Sequence, residues 1–303
     1  MITVLIATHN GADTLPEVLR ACCRLEAPDG GWKLVVIDNA STDQTRNVIE
    51  SFKPHLDLTY IFESRKGKST ALNSGLSCVT GDLVVFADDD VLPQADWLTQ
   101  FRVAADSKPE FSIFGGCILP KWEMPPEDWL LNWVPLSPTF AITNFEEGPI
   151  HPQLVFGPNM AIRAEILKNG YQFDQSFGPK GSDYTMGEDT EFSLQLTRAG
   201  FKSWHCKQAI VYHIIQSSQM TREWVLDRAI PYGRAQMRRR MKDISMSQLT
   251  KLKVSLHLRR LAILGRLLVA RFNRNEERVF KQRWDLNFLK GQALQARMML
   301  NSN

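Results

Sequence analysis

A chain of 303 residues, 44% hydrophobic and 23% charged with 15 Pro and 18 Gly, has the composition of a globular protein of one large or two small domains, which excludes a disordered tail, a collagen-like fibre and a low-complexity linker. The net charge of +3 conceals an asymmetry: residues 1–221 carry 17 Lys and Arg against 27 Asp and Glu, and residues 222–303 carry 19 against 6, so an acidic body precedes a basic region. Five cysteines with no C-x-x-C pair argue against a disulfide framework or a structural zinc site, and the odd count suits a reducing compartment.

The start, MITVLIATHN, has neither the basic region nor the cleavage pattern of a secretory signal, and no uncharged apolar run reaches about 18–20 residues. Nothing in this reading spans a membrane, and the expected location is the cytoplasm. TVLIAT (3–8), KLVVID (33–38), LTYIF (58–62) and LVVFA (83–87) are short β-branched apolar runs, as expected of strands buried on both faces. Between the first two, Leu15, Val18, Leu19 and Cys22 have helical spacing, with Thr14 and Glu17 as a capping box. Cys22 and Cys23 read there as small buried hydrophobes. A second helix is predicted from Ser41, burying Val48, Ile49 and Phe52, and a third from about Ser69 to Cys78. The order βαβαβαβ implies a parallel sheet with right-handed crossovers. From Phe111 to about His213, Pro-rich segments alternate with short apolar runs and a helix near Thr190–Ala199, read as the second half of the same domain. From about Met220 the chain turns helical and basic.

Ligands of such sheets bind just outside the carboxyl ends of the strands. Those ends carry Thr8-His9-Asn10, Asp38-Asn39 and Asp88-Asp89-Asp90, polar or acidic groups after wholly apolar runs. Three successive carboxylates repel one another unless a cation sits among them, and oxygen ligands suit Mg²⁺ or Mn²⁺. Asp88 and Asp90 can face one cavity and share an ion that also grips a diphosphate. GKST (67–70) is not a P-loop, because Phe62 stands where that motif needs glycine, and no G-x-G-x-x-G follows a strand. A metal and a lysine are then the natural counter-charges for a diphosphate. Glu188 and Asp189 open a helix, where an acid either caps and favours the macrodipole or, across a cleft, serves as a general base. His213 closes the run AIVYH as a buried or capping histidine or as a metal ligand.

The ordered set IATHN, VVIDNASTDQT, GKSTALNSG, GDLVVFADDDV, FGPNMAIRAE, GEDTEFSLQL and VYH resembles the family 2 glycosyltransferases of the GT-A fold, over about residues 1–215. The resemblance implies an α/β fold with a Rossmann-like, mostly parallel sheet flanked by helices, followed by a basic helical C-terminal extension. It implies a catalytic domain over residues 1–220, with a nucleotide-sugar half to about 115 and an acceptor half from about 116, and the basic region over 221–303. The implied activity is divalent-metal-dependent transfer, with inversion, of a sugar from a nucleotide-diphosphate donor, most commonly UDP, to a hydroxyl of a glycan or lipid-linked acceptor. Thr8, Asn10, Asp38, Lys68, Asp88 and Asp89 would then bind the donor, and Asp88, Asp90 and His213 the Mn²⁺ or Mg²⁺. Asp189 would be the base and Glu188 its partner. Asn39 departs from members with a second acid there, and the GKSTALN form resembles the polysaccharide-synthase branch. That branch's Q-x-x-R-W motif is one residue too long here, Gln219 to Trp224, where Thr221 reads as a helix cap.

Trp122, Trp129 and Trp133 fall in the Pro-rich segments, as core residues or as platforms for acceptor sugar rings. In LHLRRLAILGRLLVARF (256–272), Arg259, Arg260, Arg266 and Arg271 are read as gathered on one side of a helix. Anionic membrane surface and docking on protein are the two occupants weighed for it, with peripheral attachment at the cytoplasmic face in the first case. Nucleic acid is disfavoured because the interleaved aromatics of single-strand binders are missing. A non-catalytic nucleotide-sugar or glycan binder on the same scaffold is the alternative function.

Overall fold

The computed structural model describes residues 1–180, 183–242 and 246–301. All four apolar runs of the N-terminal region form strands: β1 (Ile2–Thr8), β2 (Trp32–Asp38), β3 (Leu58–Phe62) and β4 (Leu83–Asp88). Helices α1 (Leu15–Cys22), α2 (Thr45–Phe52) and α3 (Lys68–Gly75) lie between them. The strands pair in parallel in the order β3-β2-β1-β4. Every residue of β1 is buried. Val4 and Ile6 join one apolar layer with Leu34, Val36 and Val85, while Leu5 and Ala7 join the other with Val35, Ile37 and Phe86. Two covered faces explain why the runs are continuously apolar rather than alternating.

The chain continues through β5 (Val91–Pro93), α4 (Trp97–Ser107), β6 (Ile113–Trp122), α5 (Asp128–Trp133), α6 (Leu136–Phe140), β7 (Gly148–Pro149), β8 (Met160–Arg163) and α7 (Ala164–Lys168). Next come β9 (Gly178–Lys180), β10 (Asp183–Thr185), α8 (Glu188–Arg198) and β11 (Ser203–Ile215). Beyond β4 the sheet runs β8-β6-β11-β5, with β8 antiparallel to β4 and β6, and β11 antiparallel to β5 and β7. The first ninety residues supply a block of parallel strands, and in the rest of this mixed α/β sheet β8 runs antiparallel between β4 and β6.

Two compact units result: residues 1–121, 141–183 and 188–214, and residues 122–140, 184–187 and 215–303. The second holds α9 (Arg222–Met241), α10 (Met246–Phe272) and α11 (Glu276–Asn301). Thr221 caps α9 by accepting a hydrogen bond from the Trp224 amide at 3.3 Å, as its sequence position predicts. Helices α9 and α11 touch through facing glycines. A Cβ on Gly233 would lie 2.0 Å from the Phe288 carbonyl oxygen, and one on Gly291 2.0 Å from that of Ile230. Of the tryptophans considered for sugar stacking, Trp129 is buried in this unit, and Trp122 and Trp133 are partly buried against aromatic neighbours. Trp122 meets Phe140 edge-on at 5.5 Å, and Trp129 and Trp133 flank Phe280 at 5.5 and 6.1 Å. The Arg222 guanidinium lies over both of the latter rings. No helix among the described residues is long and apolar enough to cross a membrane.

Local expectations are corrected at three places. Helix α2 starts at Thr45 rather than Ser41, because residues 41–43 brace the strand ends. Ser41 Oγ accepts from the Asn10 amide (2.9 Å), and Asp43 accepts from the amides of Thr45 (3.0 Å) and Ala12 (3.1 Å). The capping box of α1 does not form: the Thr14 hydroxyl turns back to the Gly11 carbonyl, and Glu17 pairs with Lys121. Cys22 is buried, but Cys23 lies past the end of α1 and is exposed.

Candidate active site

Because β1 and β4 pair with Ala7 opposite Asp88, Thr8 and the three aspartates emerge together at one end of the sheet. The buried Thr8 donates its hydroxyl to Asp89 Oδ2. Gly11 gives this contact room, since a Cβ there would lie 2.2 Å from Thr8 Oγ1 and 3.0 Å from Asp89 Oδ2. Burial, with repulsion from Asp90, pushes the Asp89 carboxyl up to about 7 despite that hydrogen bond.

The chain then turns into β5, whose Val91 sits opposite His213 of β11. That register places the imidazole beside the preceding residue, with His213 Nε2 3.2 Å from Asp90 Oδ2. Burial alone would raise Asp90, but His213 and Lys68 hold its carboxyl below the usual range. Asp90 Oδ1 is buried and has no hydrogen-bond partner among the described residues. A carboxylate with an uncommitted oxygen beside an imidazole is a donor set that fits a borderline divalent ion such as Mn²⁺. Asp88, expected to complete that set, is taken by a lysine, and no group of three His, Cys, Asp or Glu converges on one metal position among the described residues.

The lysine is Lys68, first residue of α3, reached through Gly67 at φ +139°. Its Nζ lies 2.5 Å from Asp88 Oδ1 and 3.4 Å from Glu188 Oε1. Burial works against its charge, yet the two carboxylates carry its pKa well above the ordinary value. Burial raises Asp88 and Glu188, and Lys68 offsets this only in part, because one ammonium is shared among several acids.

Asn39, which follows β2, orders the approach to Lys68. Its side-chain nitrogen donates to the carbonyls of Glu63 (3.2 Å) and Arg65 (2.8 Å), and its oxygen accepts from the Gly67 amide (2.7 Å). An aspartate could accept here but not donate twice. Farther along α3, Ser69 donates to the Phe177 carbonyl and Asn73 exchanges two bonds with Phe173, so the GKSTALN motif also ties down the segment before α8.

At the start of α8, Glu188 is buried and Asp189 half-buried. Asp189 Oδ2 accepts from the Gly157 amide and Oδ1 from the Thr190 amide, both at 2.6 Å. Gly157 is part of FGPNM, whose fully buried Asn159 donates to the carbonyls of Cys117 (2.9 Å) and Ala209 (2.8 Å) and accepts from Trp97 Nε1 (2.8 Å). One amide therefore rivets β6 to β11 and fixes the turn that aims Asp189.

The structure thus gathers Thr8, Lys68, Asp88, Asp89, Asp90, Glu188, Asp189 and His213 in the first unit, with the charge of Asp189 felt by both Lys68 and Asp88. Asp38 and Asn10 sit at neighbouring strand ends and are engaged by the protein. Asp38 accepts from the Ser41 amide and the Tyr60 hydroxyl, both at 3.0 Å, and Asn10 Oδ1 accepts from the Thr42 amide at 2.8 Å. Burial and Asp38 together push the Tyr60 hydroxyl up to about 12. Gly11, Gly157 and Asn159 support the site without having been singled out, and Asn39, noted only as a departure from a second acid, braces the loop before Lys68; their contacts reveal their work.

Comparison with known proteins fits this geometry. The model of glycosyl transferase family 2 matches residues 3–170, more than half of the chain. A PGL/p-HBAD biosynthesis glycosyltransferase of Mycobacterium bovis is 33% identical over 203 residues, 64% of this chain and 69% of its own. A mannosyltransferase from Pyrobaculum calidifontis, solved with GDP-Man and Mn²⁺, is similar with a TM-score of 0.65 at 20% identity over 98% of this chain and 86% of its own. S. aureus TarS 1-349, solved with UDP-GlcNAc, gives 0.53 at 15% over 99% and 92%. At such identities the two structures speak for the GT-A fold alone. The chain belongs to glycosyl transferase family 2 and is a glycosyltransferase.

Proposed function

We infer that this glycosyltransferase moves a sugar, with inversion and with the help of a divalent ion, from a nucleoside-diphosphate donor to a hydroxyl of a glycan or lipid-linked acceptor. The observation that carries the reading is the convergence of a lysine, the Asp90–His213 pair and a half-exposed Asp189 at the end of the sheet where such folds bind ligands. UDP is the first donor nucleotide to try and GDP the second, since the two fold neighbours hold UDP-GlcNAc and GDP-Man.

Asp90 and His213 would hold the ion, and an imidazole in the set favours Mn²⁺ over Mg²⁺, which prefers oxygen ligands throughout. When bound, that ion supplies positive charge against the diphosphate. Lys68 adds a second positive charge and, by pairing with Asp88 and Glu188, lets these two carboxyl groups stand close together. The buried Glu188 keeps Lys68 in place, whereas Asp189 is open to an acceptor. Asp189 Oδ1 accepts from both the amide and the hydroxyl of Thr190, whereas Oδ2 accepts from the Gly157 amide and retains a further lone pair for an acceptor hydroxyl. The acceptor hydroxyl gives its proton to Asp189 as the acceptor oxygen bonds to the anomeric carbon. The bond from that carbon to the diphosphate breaks, and its electron pair leaves on the diphosphate. Attack from the face opposite the leaving group inverts the centre.

The test is Asp189→Asn, which removes the base at nearly unchanged shape; its one oxygen keeps one of the two amide bonds and its nitrogen loses the other, so a melting curve is recorded beside the assay to show that the variant is folded. Nucleotide binding should persist while transfer falls by about 10²–10⁴-fold. Normal turnover by this variant would refute the assignment.

A further inference from the structure

Helix α10 has two apolar sides. Leu252, Leu256, Ile263 and Leu267 are buried, and this side belongs to the core that the second unit forms with Met237 and Leu289. On the opposite side Val254, Leu258, Leu261, Leu268 and Phe272 are 53–89% exposed. Their spacing of three, four and seven residues makes a single stripe about 27 Å long at 1.5 Å per residue, with Gly265 in line and open space above it. Among the described residues nothing covers this stripe, and its length is more than that of scattered surface hydrophobes.

The arginines expected on one side of this helix divide instead between its two flanks. Arg259 and Arg266 lie on the α11 side, where their guanidinium groups reach Gln292 (3.5 Å) and Gln282 (2.8 Å) and feel the charge of Asp285. Arg260 and Arg271 are exposed on the other flank. The segment 246–272 contains six Lys and Arg and no Asp or Glu. An apolar stripe bordered on both sides by long cationic side chains matches a lipid surface in the plane of its headgroups, where the stripe enters the acyl boundary and the arginines snorkel to phosphates. A second copy of α10 laid on the stripe would bring arginine flanks together with no acid on the helix to pair them. Nucleic acid would use the arginines and leave the stripe in water.

We propose that the outer face of α10 is the surface by which this enzyme lies on an anionic membrane, parallel to the bilayer. This rests on the second unit alone and stands whatever donor the first unit takes. The experiment is vesicle flotation of the full chain with phosphatidylcholine vesicles, with and without phosphatidylglycerol, at low and high salt. Sedimentation of the free protein is measured alongside. The protein should float with anionic vesicles, less so at high salt, and remain behind with neutral ones. Arg260→Gln with Arg271→Gln should lower partitioning by about fivefold per charge. Leu261→Glu with Leu268→Glu should abolish it, and neither pair should change the melting transition, since all four positions are exposed. Absence of binding to anionic vesicles, equal binding to neutral ones, or unaltered binding by the Leu261→Glu/Leu268→Glu variant would overturn the proposal. A dimer dissolved by that variant, without vesicle binding, would assign the face to a second copy.

Discussion

Replacing Lys68 by methionine keeps the side chain's length and removes the charge that Asp88 and Glu188 share. The ammonium lies 2.5 and 3.4 Å from their oxygens, where each attraction is of the order of 5 kcal/mol at an effective dielectric constant of about 20. Desolvation offsets most of that in the intact cluster, but deleting one partner leaves the others buried without a counter-charge, which costs about 3–5 kcal/mol. Lys68 and Asp88 retain 22% side-chain exposure, which moves the expectation to the lower part, about 2–4 kcal/mol. The melting midpoint should then fall by roughly 5–10 °C near neutral pH. The pH dependence has a definite sign. Without Lys68 the two carboxyls, already raised by burial and crowding, rise further above their unfolded values. A raised carboxyl binds its proton more tightly in the folded state, so its penalty is full above the folded pKa and fades toward the unfolded value of about 4. The assay is denaturant unfolding of both proteins across that range, the deficit shrinking as pH falls. A variant as stable as the parent at neutral pH, or a deficit independent of pH, would refute the shared-cation account.

Asn39→Asp should destabilise the loop before α3 by about 2–4 kcal/mol, since two donated hydrogen bonds are lost and a carboxylate is buried against the Glu63 and Arg65 carbonyls; a melting curve indistinguishable from the parent would show that the amide is not the brace. Gly233→Ala should cost about 1–3 kcal/mol, because its new Cβ would lie 2.0 Å from the Phe288 carbonyl oxygen and must push α9 away from it. Gly265→Ala, in open space within α10, should stabilise by about 0.5–1 kcal/mol, and thermal melts of the pair read both signs.

The parallel half of the sheet was legible because β1, β2 and β4 are buried on both faces and so read as unbroken apolar runs ending abruptly in polar residues. The strand-end groups Thr8, Asp88, Asp89 and Asp90 could be named for the same reason. What stayed hidden depended on partners distant in sequence. Only the family resemblance put His213 with Asp90; the residues alone did not, because the contact depends on antiparallel pairing of β11 with β5 across more than a hundred residues. Asn159 is one residue of a short motif until its amide is seen joining β6 to β11. The STDQ segment resembles a helix cap, yet tertiary bonds to Asn10, Ala12 and Asp38 claim it. The tryptophans of the Pro-rich segments gave no sign of their neighbours, because Phe280 lies about 150 positions along the chain from Trp129 and Trp133.

The central claim is that Asp90 and His213 make donor binding depend on a divalent ion. It is tested most directly by calorimetric titration of UDP, GDP and dTDP into the parent and into a folded Asp90→Ala variant, with Mn²⁺ and with EDTA. One nucleotide should bind the parent with Mn²⁺, EDTA should abolish the binding, and Asp90→Ala should lose it in either buffer. Equal binding with EDTA, or Mn²⁺-dependent binding undiminished in Asp90→Ala, would contradict it.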